Sequence, residues 1–121
     1  MHEFGITKNI VATVERYLER DDVLRVELIN LRFGALQAIV PEAVEFAFET
    51  LKQEIPELAD TRLNITTVPI QLKCENCGQV FRAEDFILYC TDCGSSETTI
   101  IEGKELEISN MEVIKNDDNG T

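Results

Sequence analysis

"KCENCGQVFRAEDFILYCTDCG", residues 73–94, holds all four cysteines of the chain as two Cys-x-x-Cys pairs, Cys74 with Cys77 and Cys90 with Cys93. Each pair can grip a metal ion from a tight turn. The twelve residues between the pairs are long enough to return the chain as a hairpin, so four thiolates can meet at one tetrahedral ion. Gly78 and Gly94 each follow the second cysteine of a pair, where a residue without Cβ lets the backbone curl and point amides at sulfur. Structural zinc is the first expectation; an iron–sulfur or rubredoxin-like iron site and a redox dithiol are the alternatives. Four sulfurs leave no open position for a substrate water, which disfavours catalysis at this metal. Short of aliphatic core residues and bounded by cysteines, the segment reads as a small unit of its own.

On both sides of that unit the pattern changes to strands and helices. "RLNITTV" (62–68) sets Leu63, Ile65 and Thr67 against Asn64, Thr66 and Val68 and stops at Pro69, as a strand does. "KELEISNMEVI" (104–114) has a period of two at Leu106 and Ile108, then shifts near Asn110 to Met111, Val113 and Ile114. Upstream, "VLRVELINLRF" (23–33) alternates Leu24, Val26 and Leu28 with Arg25 and Glu27, then changes phase to Ile29, Leu31 and Phe33. That is a strand with a bulge, or one covered on both faces, closed by Gly34. From Phe4 to Leu18 the residues Ile6, Ile10, Val14 and Tyr17, flanked by Val11 and Leu18, repeat at helical spacing and stop before Asp21 and Asp22. A second helix is expected from Pro41 to about Gln53, with Ala43, Val44, Ala47, Phe48 and Leu51 as its inward stripe. The fold class is therefore α+β: two helices on a small three-stranded sheet, with an inserted four-cysteine zinc-ribbon unit. The expected boundaries are 1–70 and a returning strand 103–114 for the α/β part, 71–102 for the zinc-binding unit, and 115–121 for a disordered tail.

A chain of 121 residues with 44% hydrophobic content suffices for one domain with a small appendage and a modest core, which a metal or an oligomer would help to stabilise. Twenty-three acidic side chains against eleven basic ones give a formal charge of −12. Such a charge opposes attraction to phosphate backbones and anionic membranes, so neither nucleic acid nor membrane is expected as a partner. The sequence has no signal-peptide pattern and no run approaching the roughly 20 apolar residues of a membrane span. A soluble, cytoplasmic protein is expected. In that reducing compartment four cysteines point to metal or redox chemistry before disulfides.

The chain opens "MHEFG", and His2 is its one histidine. Taken alone, a histidine there is most simply an exposed terminus. The chemical reading competes because a retained Met1 offers a free α-amine that closes a five-membered chelate ring with the His2 backbone nitrogen. That nitrogen closes a six-membered ring with the imidazole Nδ1. Three nitrogens then share a plane, with the fourth place open to a nitrogen or oxygen of Glu3 or to water. Planar, nitrogen-rich coordination suits Ni(II) or Cu(II). A site without a cage loads and releases metal readily.

"MHEFGITKNIV", "LRFGALQAIVPEAVEFAFETL" and "VPIQLKCENCGQVF…YCTDCGSSE…GKELEI", in this order over almost the whole chain, resemble the hydrogenase-maturation nickel metallochaperones, the HypA/HybF family. The initial Met-His-Glu and the two cysteine pairs are the most specific parts of the likeness. The resemblance implies that Met1, His2 and Glu3 bind nickel and that Cys74, Cys77, Cys90 and Cys93 hold structural zinc. It implies no enzyme activity of the chain's own. It further implies delivery of nickel to the large subunit of [NiFe]-hydrogenase together with a nickel-handling, HypB-like GTPase. Gly5 stands where the family often has serine or alanine, and Thr91 where proline is common; neither change removes a ligand.

Two other functions compete. A zinc-ribbon adaptor of transcription or translation machinery needs basic surface, which is scarce: only Lys73 and Arg82 lie near the cysteines, against Glu75, Glu84, Asp85 and Asp92. A thiol oxidoreductase would present one Cys-x-x-Cys pair at a helix start rather than two at metal spacing. The sole histidine sits at the terminus, so no serine or cysteine triad is suggested. Without a glycine-rich phosphate loop, any GTP hydrolysis belongs to a partner.

Overall fold

The computed structural model describes residues 3–20, 22–84 and 86–115. The amphipathic spacing near the start makes α1 (Glu3–Arg20), whose buried residues are Glu3, Thr7, Val11 and Val14. Ile6, Ile10 and Leu18 are half-buried beside this stripe. Tyr17, whose spacing would put it on the stripe, is exposed, and its ring carries the Arg20 guanidinium at 5.3 Å. Two polar groups take the buried places at the start instead. The Thr7 hydroxyl donates to the Glu3 carbonyl at 2.6 Å, which satisfies it one turn back along the helix.

Strand β1 (Val23–Gly34) follows. Its buried side chains are Val26 and then Ile29, Leu31 and Phe33. The step of three between Val26 and Ile29 is the change of phase visible in the sequence; Leu24 is exposed and Leu28 half-buried. A short 3-10 turn (Ala35–Gln37) leads to α2 (Pro41–Leu51), with proline in its first turn and Val44, Ala47 and Phe48 buried. The helix expected to reach about Gln53 gives way at Lys52 to a 3-10 turn, Lys52–Glu54.

Strand β2 (Arg62–Val68) ends before Pro69 as expected and alternates through Thr66, with Leu63 and Ile65 half-buried, but the expected pattern breaks at its end, where Thr67 is exposed and Val68 buried. Then come β3 (Gln71–Cys74), β4 (Val80–Arg82), β5 (Thr98–Glu102) and β6 (Leu106–Lys115). Two three-stranded sheets result, ordered β2-β1-β6 and β4-β3-β5. In the first, Asn30 of β1 accepts from Asn64 of β2 at 2.8 Å and donates to Asn110 of β6 at 2.6 Å. In the second, β3 pairs antiparallel with both neighbours, setting Leu72 opposite Phe81 on one side and Ile100 on the other. The hairpin therefore closes around the first cysteine pair. Of the twelve residues between the pairs, which were expected to turn back on themselves, only Val80–Arg82 is strand among the described residues. Lys115, the first residue of the tail expected at 115–121, is instead the last residue of β6; residues 116–121 lie outside the described residues.

The chain divides into two compact units, one of Met1–Leu31, Ile39–Ile65 and Ile108–Thr121, the other of Arg32–Ala38 and Thr66–Glu107. In the first, α1 packs on α2, and the buried apolar side chains are Val11, Val14, Val26, Ile29, Leu31, Val44, Ala47, Phe48 and Leu58. The buried Thr61 hydroxyl donates to the Val26 carbonyl at 2.7 Å. Lys52 reaches the Thr61 carbonyl at 3.1 Å while lying over the Phe48 ring. In the second unit Phe33, Val68, Ile70, Leu72, Cys74 and Cys90 are buried. There the Gly34 N–H donates to the Glu105 carbonyl at 2.7 Å, and a Cβ on Gly34 would fall 2.0 Å from the Gly103 backbone. Glycine closes β1 because the returning chain passes too near for any side chain. No described helix is long and apolar enough to cross a membrane.

Candidate functional site

The two cysteine pairs are built alike. In the first, the Cys74 N–H donates to the Gln79 carbonyl at 2.8 Å, the Gly78 N–H to the Cys74 carbonyl at 2.8 Å, and the Cys77 N–H to the Cys74 sulfur at 3.4 Å. In the second, the Cys90 N–H donates to the Ser95 carbonyl at 2.8 Å, the Gly94 N–H to the Cys90 carbonyl at 2.9 Å, and the Cys93 N–H to the Cys90 sulfur at 3.4 Å. Gly78 and Gly94 have φ of 80° and 79°, the left-handed conformation that glycine adopts without strain. Each turn thus aims an amide at the first sulfur of its pair and leaves the second sulfur at the surface. Cys74 and Cys90 are buried, Cys77 and Cys93 exposed.

The four sulfurs meet. All lie within 4.8 Å of one another, with Cys74 and Cys93 3.5 Å apart and Cys77 and Cys90 3.7 Å apart. Zinc–sulfur bonds of about 2.3 Å give a tetrahedron with edges of about 3.8 Å, so the donor set fits one zinc ion and leaves no room for a multi-iron cluster. These separations far exceed a disulfide bond, and all four cysteines are free. The thiols are already biased toward charge sharing. The Asn76 amide, chiefly, with the Ser95 N–H and Cys74, pulls Cys93 down to about 6. For Cys77 the Gln79 N–H favours the thiolate, but desolvation and the three neighbouring sulfurs outweigh it and push the thiol up to about 12. A divalent cation relieves that crowding by taking four thiolates at once.

Of the three residues expected to hold nickel, Met1 and His2 lie outside the described residues. Glu3 is buried at 6% exposure, and its carboxylate accepts the Val40 N–H at 3.0 Å. Val40 is the N-cap of α2 and supplies no side-chain cap, so the Glu3 carboxylate serves the helix start in its place. The positive amino terminus first, and the Val40 N–H second, hold the Glu3 carboxyl down at about 2. Sequence spacing could not reveal this link, because the two partners stand 37 positions apart and Val40 carries no chemical signal of its own.

A family model described as "Hydrogenase/urease nickel incorporation, metallochaperone, hypA" matches residues 1–113. The hydrogenase maturation factor HypA of Moorella thermoacetica is 36% identical over 108 residues, covering 89% of this chain and 95% of that one. The HypA of Crocosphaera subtropica is 41% identical over 113 residues, covering 93% and 96%. In fold, the chain resembles the solution structure of the nickel metallochaperone HypA from Helicobacter pylori, with a TM-score of 0.69 at 24% identity over 96% of this chain and all of that one. Nearly full-length matches to the family model and to relatives of this identity place the chain in the HypA family of nickel-incorporating metallochaperones.

Proposed function

We propose that Met1, His2 and Glu3 form the nickel site of this chain, through the α-amine, the His2 amide and imidazole, and a Glu3 atom or water. We also assign Cys74, Cys77, Cys90 and Cys93 as the ligands of one resident zinc. Residues 71–102 then form the zinc unit, and residues 1–70 with 103–114 form the nickel-binding part. By family the chain is a nickel metallochaperone of hydrogenase maturation, with a four-cysteine cluster suited to structural zinc. The two metals divide by chemistry. A closed shell of four thiolates retains its ion, whereas an uncaged, planar nitrogen set gives its ion up to a partner.

The observation that carries the assignment is the seating of Glu3. Its carboxylate is fixed on the Val40 N–H at the start of α2, so the Met-His-Glu arm is anchored at its third residue. Nickel then passes, in the cytoplasm, between this terminus, a nickel-handling GTPase and the hydrogenase large subunit; the chain contributes binding and release, not catalysis. Cells lacking this chain should assemble a hydrogenase large subunit without nickel. Wild-type chain should restore the metal, and His2→Ala should not. Full restoration by His2→Ala would remove the terminus from the delivery route.

A further inference from the structure

The two cysteine turns are near copies in sequence, Cys74-Glu75-Asn76-Cys77-Gly78-Gln79 and Cys90-Thr91-Asp92-Cys93-Gly94-Ser95, and the hydrogen bonds within them correspond one to one. The sulfurs follow the same exchange: the close pair Cys74 and Cys93, at 3.5 Å, becomes Cys90 and Cys77, at 3.7 Å, when the turns are swapped. The buried first sulfurs each receive the N–H of the second cysteine at 3.4 Å. The exposed second sulfurs each have the N–H two residues on, from Gln79 for Cys77 and from Ser95 for Cys93.

One contact breaks the correspondence. The Asn76 side-chain amide crosses to the other turn and donates to the Cys93 sulfur at 3.6 Å. In the matching place of the second turn stands Asp92, whose carboxylate accepts hydrogen bonds and has no proton to give. Among the described residues no side-chain amide or hydroxyl donates to the Cys77 sulfur; its side-chain contact is the Cys90 sulfur.

With zinc bound all four sulfurs are thiolates, so ionisation does not rank them. Access and the charge left on sulfur do. Cys74 and Cys90 are buried and out of reach of a reagent in solution. Of the two exposed sulfurs, Cys93 shares its charge with the Asn76 amide and Cys77 does not. Thiolate nucleophilicity follows basicity with a Brønsted slope of about 0.4–0.5, so a hydrogen bond that makes a sulfur about tenfold less basic slows its attack about threefold.

We propose that Cys77 is the modification site of the zinc unit, the sulfur at which a soft electrophile opens it, and that Asn76 is a positioning residue that joins the two turns and shields Cys93. This rests on the zinc assignment above. With an alkyl halide such as iodoacetamide, the Cys77 sulfur bonds to the methylene carbon while the carbon–iodine bond breaks and iodide leaves with its electron pair. The product is a neutral thioether, so the zinc loses one anionic ligand and its closed shell acquires an open place.

The test is limited alkylation of the full-length, zinc-loaded chain with substoichiometric iodoacetamide. Label on each cysteine is read by peptide fragmentation, with zinc content and melting temperature recorded for every variant. In the wild type Cys77 should carry about three times the label of Cys93 or more. Asn76→Ala should raise Cys93 to the level of Cys77. Asp92→Asn should supply the missing donor and bring Cys77 down to the level of Cys93 with zinc content unchanged; it adds a donor and removes none, so it reads the effect should Asn76→Ala loosen the turns. Variants that shift melting but leave the ratio of the two labels as in the wild type would reduce Asn76 to a structural contact and overturn the proposal. Equal labelling in the zinc-loaded wild type, or Cys93 ahead of Cys77, overturns it while the zinc assignment stands. Wild-type chain purified without zinc overturns the zinc assignment, and the proposal falls with it.

Discussion

Glu3 is held as a carboxylate at about 2, down from an ordinary 4.5, by the positive amino terminus first and the Val40 N–H second. A depressed folded-state value stabilises the protein above the ordinary value. That contribution is lost as pH falls from about 4.5 through about 2. At neutral pH Glu3 is ionised throughout and cannot cause any titration there. Nickel affinity should nevertheless fall between about pH 7.5 and about 6, because the α-amine and the His2 imidazole must shed protons to bind. Glu3→Gln should therefore bind nickel more weakly than wild type but less weakly than His2→Ala, with the same slope over this range. Nickel titrations at several pH values check it, and a flat profile in Glu3→Gln would deny that the titrating nitrogens hold the ion. The cysteine cluster was legible in the sequence because chelation depends on local spacing. The seat of Glu3 was not, since it joins residues 37 positions apart through a backbone amide.

The two cysteine turns are the elements in which sequence and structure agree most closely, down to the glycine after each pair. A Cβ on Gly78 would meet nothing within 4 Å, yet its φ is +80°. Gly78→Ala should therefore destabilise the turn by strain alone, about 1–2 kcal/mol, with zinc still bound but removed at lower chelator concentration than in the wild type. A competition titration with a chromogenic chelator reads this directly, and an unchanged midpoint would deny that the turn needs the left-handed conformation. The longer elements were legible too, because α1, α2, β1, β2 and β6 have room for several periods of their pattern. Strands β3, β4 and β5, of three to five residues each, are too short to display a period, and their pairing is set by the cysteine turns between them. Tyr17 misled for a related reason: helical spacing places a residue beside a stripe but does not say whether anything packs over it.

Across the whole molecule, the four cysteines fall in one compact unit and both helices in the other. Removing zinc with a chelator, or Cys→Ser at any of the four positions, should unfold the β3–β5 sheet and its turns while helical circular dichroism persists, because the ion holds together turns that share few buried side chains. Loss of helix in step with zinc would tie the helices to the metal instead. The central claim, that nickel sits on the terminal nitrogens and zinc on the sulfurs, is tested most directly by blocking one nitrogen. Native chain with a free α-amine and chain acetylated at that amine should be titrated side by side with Ni(II), with zinc measured in both. High-affinity nickel binding should be lost on acetylation while about one zinc per chain remains. Equal nickel affinity in the two, with the same pH dependence, would place the nickel elsewhere.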